Sequence, residues 1–142
     1  IYTLSLHDAL PILVIVRTTT DTKALVMRAL GQALGGVPVV SRRPDADGAP
    51  LGEVVLVIAT GGAGRSRRVL HTGQVTIDCY GPTTGSAMAL ALRVDAAMRA
   101  LTTSDQVPVT RVTGSAPAES PDPDTHAART TATYQVTTRN HS

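Results

Sequence analysis

Apolar residues recur along this chain with two different periods, and the switches between them mark its elements. Val26, Ala29, Leu30, Ala33 and Leu34 follow helical spacing, with Lys23, Arg28 and Gln32 largely on the other side, which predicts an amphipathic helix. Thr20 and Asp21 precede it as N-cap residues, and Gly35-Gly36 stops it. Val37 to Arg43 predicts a short strand, placed at a sheet edge by Pro38, and Pro44 to Gly52 a turn-rich loop. Glu53 to Thr60 (EVVLVIAT) is almost continuously apolar and β-branched, which predicts a strand covered on both faces or central in its sheet. The stretch GGAGRSRR, Gly61 to Arg68, predicts a mobile loop between strands.

The next strand runs from about Val69 to Tyr80. Val75, Ile77 and Cys79 alternate on one face and Thr76, Asp78 and Tyr80 on the other, and Gly73 is a candidate bulge. Gly81-Pro82 ends it, and Thr83 or Thr84 caps a second helix. That helix carries the most regular apolar stripe of the chain: Ala87, Leu90, Ala91, Val94, Met98 and Leu101. Val107 to Thr113 predicts a strand, Gly114 to His126 a loop, and Ala128 to Arg139 a final strand. In that last strand Ala132, Tyr134 and Val136 face opposite to Arg129, Thr131, Thr133 and Gln135. The order α-β-β-β-α-β-β predicts one α+β domain, with two helices packed on a mixed, mostly antiparallel sheet. The second and third strands can pair antiparallel, as can the last two. The second helix permits a right-handed parallel crossover between the third strand and the fourth.

Composition changes this picture in three ways. There is no Phe and no Trp, so the core is built from Val, Leu, Ile, Ala and Met around few aromatics. Net charge is only +2, with acids and bases interspersed, which does not give the dense basic stripe with aromatic platforms of a dedicated nucleic-acid binder. A single cysteine, Cys79, rules out an internal disulfide and any multi-cysteine zinc site; mid-strand, it reads as a small buried hydrophobe. No apolar run is long enough for a membrane-spanning helix, so no membrane partner is expected. The first segment, Ile1 to Ile12 (IYTLSLHDALPI), resembles a translated sequencing adapter and lacks a starting Met. The expectation is a non-native segment at 1–12 followed by a single domain over 13–142.

Motifs for chemistry are few. The glycines of GGAGRSRR lie between strands, without the Lys-Ser/Thr and following helix of a phosphate loop. Arg65, Arg67 and Arg68 in that stretch form the densest charge cluster. They read either as solvated residues or as contacts to an acidic surface. The four His are scattered. Asp122 and Asp124 lack the further oxygen ligands of a calcium loop, and read as a polar turn. No nucleophile elbow, zinc helix or paired-carboxylate arrangement occurs. The expectation is a protein that is not an enzyme, with no catalytic, cofactor or metal residues and no cofactor.

The stretch VLVIATGGAGRSRRVLHTGQVTIDCYGPTTGSAMALALRVDAAMRAL resembles the tail terminator, or tail completion, proteins of siphophages. In that family an apolar strand ends in Gly-Gly, here Gly61-Gly62. A variable basic loop follows, here Arg65 to Arg68, then a strand ending in aromatic-Gly, here Tyr80-Gly81, and an Ala-rich helix with Arg, here Ser86 to Leu101. The opening helix with its Gly-Gly stop and the PDPDTH turn agree, so the resemblance spans about Val16 to Arg139. It implies helices on a mixed sheet and a homo-oligomeric ring, usually a hexamer. Such a ring caps the tail tube at its head-proximal end, stops its elongation and docks to the head. The implied partners are further copies of the chain, the major tail-tube protein and the head-tail connector or stopper. The implied location is the virion, after assembly in the host cytoplasm. A neck or head-closure protein of the same virion, or a small nucleic-acid-binding module using the Arg loop, are the alternatives. The terminator reading expects no specific nucleic-acid partner.

Overall fold

Asp21 accepts a hydrogen bond from the Ala24 N–H at 3.0 Å and so starts the first helix, α1 (Thr22–Ala33), satisfying one of the donors a helix leaves unpaired at its start. The computed structural model describes residues 19–43, 52–66 and 70–139; the adapter-like segment 1–12 lies outside them. After α1 come β1 (Val39–Val40), β2 (Val54–Ser66), β3 (Leu70–Gly81) and α2 (Thr84–Ala100). A short 3-10 turn (Leu101–Thr103), β4 (Val109–Gly114), β5 (Ala118–Glu119) and β6 (Ala128–Arg139) follow. Thr83 caps α2 in a reciprocal pair with Ser86: its Oγ1 accepts from the Ser86 N–H at 3.1 Å, and the Thr83 N–H donates to Ser86 Oγ at 3.0 Å.

The six strands form one sheet in the order β1-β2-β3-β6-β4, with β5 also on β6. Among the described residues only β1 and β2 pair parallel; the other pairings are antiparallel. This is the expected α+β domain with two helices and a mixed, mostly antiparallel sheet. Both helices lie on one face, where α1 contributes Val26, Leu30 and Leu34, and α2 contributes Leu90, Ala91, Val94 and Met98. Val55 and Val57, then Val75, Ile77 and Cys79, then Ala132, Tyr134 and Val136 meet them from the sheet. Each fully buried aliphatic side chain in this layer contributes about 2 kcal/mol of transfer free energy.

Several expectations are corrected. The predicted crossover joins strands that run parallel but are not neighbours. β3 and β4 both pair antiparallel with β6, which lies between them. Sequence order carries no information on such an insertion. The strand expected over Val37 to Arg43 pairs only at Val39 and Val40, at the predicted edge. The strand expected to be covered on both faces is so only at Val55, Leu56 and Val57; Ile58, Ala59 and Thr60 are exposed. The loop expected over Gly114 to His126 contains β5.

Gly73 is in regular register with Val136 and is not bulged itself; the extra residues lie opposite, on β2. Its lack of a side chain serves a close approach instead. A Cβ there would stand 2.8 Å from the Cβ of Thr22, the first residue of α1. Gly73 therefore lets the helix settle onto the sheet.

Candidate interface surfaces

The chemistry singled out in the sequence lies on the β2–β3 hairpin. The glycine-rich stretch expected as a loop is largely strand, since β2 continues through Gly61 to Ser66. It does so because the glycines absorb two register shifts against β3, one between Ala59 and Gly61 and one between Gly61 and Gly64. Gly61, Gly62 and Gly64 have φ of 98°, 108° and 78°, a left-handed region that other residues enter at a cost. At Gly62 a Cβ would also approach the Gln74 N and the Thr72 O to 2.8 Å. Arg65 is thus a strand residue, exposed, and paired across to His71. Arg67 and Arg68, the other members of the expected interface loop, lie outside the described residues, between Ser66 and Leu70.

The sheet face away from the helices is rich in Thr and Gln over its centre, with Ile58 exposed opposite Thr76. Thr72 and Thr137 hydroxyls meet at 2.9 Å, and Thr76 and Thr133 at 3.1 Å. Gln74 Nε2 donates to Thr60 Oγ1 at 3.1 Å. These cross-strand pairs satisfy one another laterally.

Its far end is closed by a charged cluster that sequence reasoning missed. The Tyr80 hydroxyl donates to Asp122 Oδ2 at 3.0 Å, and both residues are buried. Asp122 Oδ1 accepts from the backbone N–H of Asp124 at 2.9 Å and of Thr125 at 3.3 Å, which folds the PDPDTH turn. Arg43 is ion-paired with Asp124 and stands 3.9 Å from Asp122. Burial works to raise the Asp122 pKa. The two backbone donors, the Tyr80 hydroxyl and the Arg43 charge together outweigh it and hold the carboxyl below its ordinary value. Beside it Arg129 bonds Ser120 O at 2.7 Å and lies 3.9 Å from buried Asp78. Asp122 and Asp124 therefore build the turn and fix it to the sheet. The sequence did put Tyr80 and Asp78 on one face and Arg129 on the corresponding face of its strand. The position of Arg43 over them had no signal, because it depends on where the chain goes after β1.

On the helix face Tyr134 is fully buried and its hydroxyl donates to Asp95 Oδ1 at 2.7 Å. Cys79 is 1% exposed, and burial, followed by the Asp78 charge, pushes its pKa up to about 12. An open groove of about 800 Å3 runs between α1 and the end of α2, past Leu25, Ala29, Ala97, Leu101 and Val107. Among the described residues, no three His, Cys, Asp or Glu side chains are grouped so as to share a metal ion. No described helix is long and apolar enough to cross a membrane.

The chain matches no protein-family model, and a search of curated proteins finds no match to it.

Proposed function

We propose that this chain is a structural subunit of a siphophage virion, without enzymatic activity, which assembles as a ring at the head-proximal end of the tail. The ring caps the tube, stops its elongation and offers the surface to which the head-tail connector docks. The observation that carries the reading is that the residues behind the family resemblance have architectural roles in this fold. Gly61 and Gly62 are left-handed residues at the register shifts of the hairpin. The basic residues Arg67 and Arg68 follow Arg65 in sequence, between Ser66 and Leu70. Tyr80 anchors the PDPDTH turn, and Gly81 admits the start of α2, since a Cβ there would lie 2.8 Å from the Ala87 N. Capping requires surfaces and symmetry rather than bond chemistry.

The test replaces Arg65, Arg67 and Arg68 together with Glu and examines tails assembled with the tube protein by electron microscopy. The expected result is unchanged circular dichroism with tubes that overgrow. Tubes of normal length would refute a capping role for this hairpin. If tube length is normal while heads fail to join, the chain is a neck or head-closure subunit. Tight, steeply salt-dependent DNA binding by the wild type, lost in the variant, would replace the capping reading with nucleic-acid binding.

A further inference from the structure

The sheet is closed at one half of its length and open at the other. At one end β1 covers Val55 and Leu56 of β2, and β5 covers Thr130 and Thr131 of β6. The register carries these positions across the sheet, since Val55 is opposite Cys79 and Cys79 opposite Thr130. At the other end, and among the described residues, β2 from Val57 to Gly64 pairs with a strand on its β3 side alone, and β4 on its β6 side alone. These two edges lie level. Ala59 is opposite Val75, Val75 opposite Tyr134, and Tyr134 opposite Gly114; Arg65 leads in the same way through His71 and Thr138 to Val109. Each edge presents backbone N–H and C=O groups that want a strand beside them.

Their directions are complementary. β2 and β6 run one way, and β3 and β4 the other, because each pairing among them is antiparallel. A second copy set with its β2 beside β4 of the first would continue the alternation without a break. We infer that the β2 edge of one copy, from Val57 to Gly64, pairs antiparallel with the β4 edge of the next. This inference rests on the ring reading and names the surface that makes the ring. The partner is a second copy because one kind of contact satisfies both edges, which occur on the same chain, at the same level and in opposite senses. Such a head-to-tail contact leaves a β2 edge free at one end of every open chain of subunits and a β4 edge free at the other, so only closure pairs them all. The register shifts at Ala59/Gly61 and Gly61/Gly64 in β2, and at Val109/Arg111 in β4, bend and twist the two strands. Local bending of this kind is what lets a continuous sheet curve round on itself.

The experiment uses the full chain with Thr60→Cys and Thr113→Cys, singly and together, under mild oxidation, followed by native mass spectrometry and denaturing gels. Thr60 is exposed and Thr113 half-buried, and buried Cys79 does not compete. The expected result is an assembled wild type, no covalent product from either single variant, and from the double variant a ladder of covalent oligomers ending at the ring. A covalent dimer from a single variant would overturn the inference in favour of two-fold pairing. An assembled ring without a ladder in the double variant would overturn it while leaving the ring reading in place. A wild type that stays monomeric at every concentration would sink both. Thr60→Lys with Thr113→Lys, which sets like charges across the junction, should convert the assembled mass to monomer while the melting of the subunit itself is preserved.

Discussion

Replacing Tyr80 with Phe removes one hydroxyl and leaves the ring's packing volume in place, so its effect isolates the bond to Asp122. That bond is 3.0 Å long, both partners are buried, and the acceptor is charged. Hydrogen bonds to charged groups contribute roughly 1.5–3 kcal/mol. Asp122 keeps the Asp124 N–H at 2.9 Å, the Thr125 N–H at 3.3 Å and Arg43 at 3.9 Å, so the carboxylate is not orphaned and the lower end applies, about 1.5 kcal/mol. For a chain of this size that corresponds to a melting temperature lower by roughly 5 °C. The loss should depend on pH. The folded-state pKa of Asp122 is depressed, so its contribution is complete above the ordinary carboxylate pKa and disappears as pH falls through the lower folded value. Thermal melts followed by circular dichroism at pH 7 should show the full difference between variant and wild type, and melts near pH 3 a smaller one. An equal difference at both pH values, or none at pH 7, would refute the role given to the charged acceptor.

Val94→Asp places an unpaired carboxyl among Leu90, Met98 and the sheet, which should cost several kcal/mol and yield insoluble protein; a soluble folded product would assign this stripe to a subunit contact. Gly73→Ala forces a methyl against Thr22 and should destabilise by about 1–3 kcal/mol, with Thr22→Gly restoring part of the loss in a double-mutant cycle. Simple additivity of the two would place the clash elsewhere. Cys79 should resist alkylation in the folded protein at pH 8 and react after denaturation, since its thiolate does not form until pH approaches about 12. Fast labelling of the native chain would show that the strand opens.

Both helices were legible because their stripes repeat with one period over several turns, and Ala87, Leu90, Ala91, Val94, Met98 and Leu101 are all buried. The faces of β3 and β6 were legible for the same reason, with Val75, Ile77 and Cys79 inward and Thr76 outward, although Asp78 and Tyr80 on that outward face are themselves buried. The glycines of GGAGRSRR misled, because a left-handed glycine in a bulged strand and one in a loop look alike in sequence. Of the candidate interface residues, Arg65 falls at the end of a strand and the other two outside the described residues. The Asp122 cluster was hidden because its members come from four separate stretches, at Arg43, Tyr80, Asp122 and Arg129, which only the tertiary fold brings together.

The position of β6 between β3 and β4 has a consequence for biosynthesis. β6 follows every other described strand in sequence, yet it holds the sheet together, pairing along its length with β3 on one side and with β4 and β5 on the other. While the chain emerges from the ribosome, β2 and β3 can zip into a hairpin, but β4 and β5 have nothing to pair with. The apolar stripe of α2 must wait beside an unfinished surface until the residues after His126 arrive. Cooperative folding is therefore deferred until β6 has been made and depends on contacts distant in sequence, which slows it. A chain terminated before Ala128 would be two unjoined halves with an exposed strand edge between them. The cell would meet it as an aggregation-prone fragment, not as a slightly weakened domain.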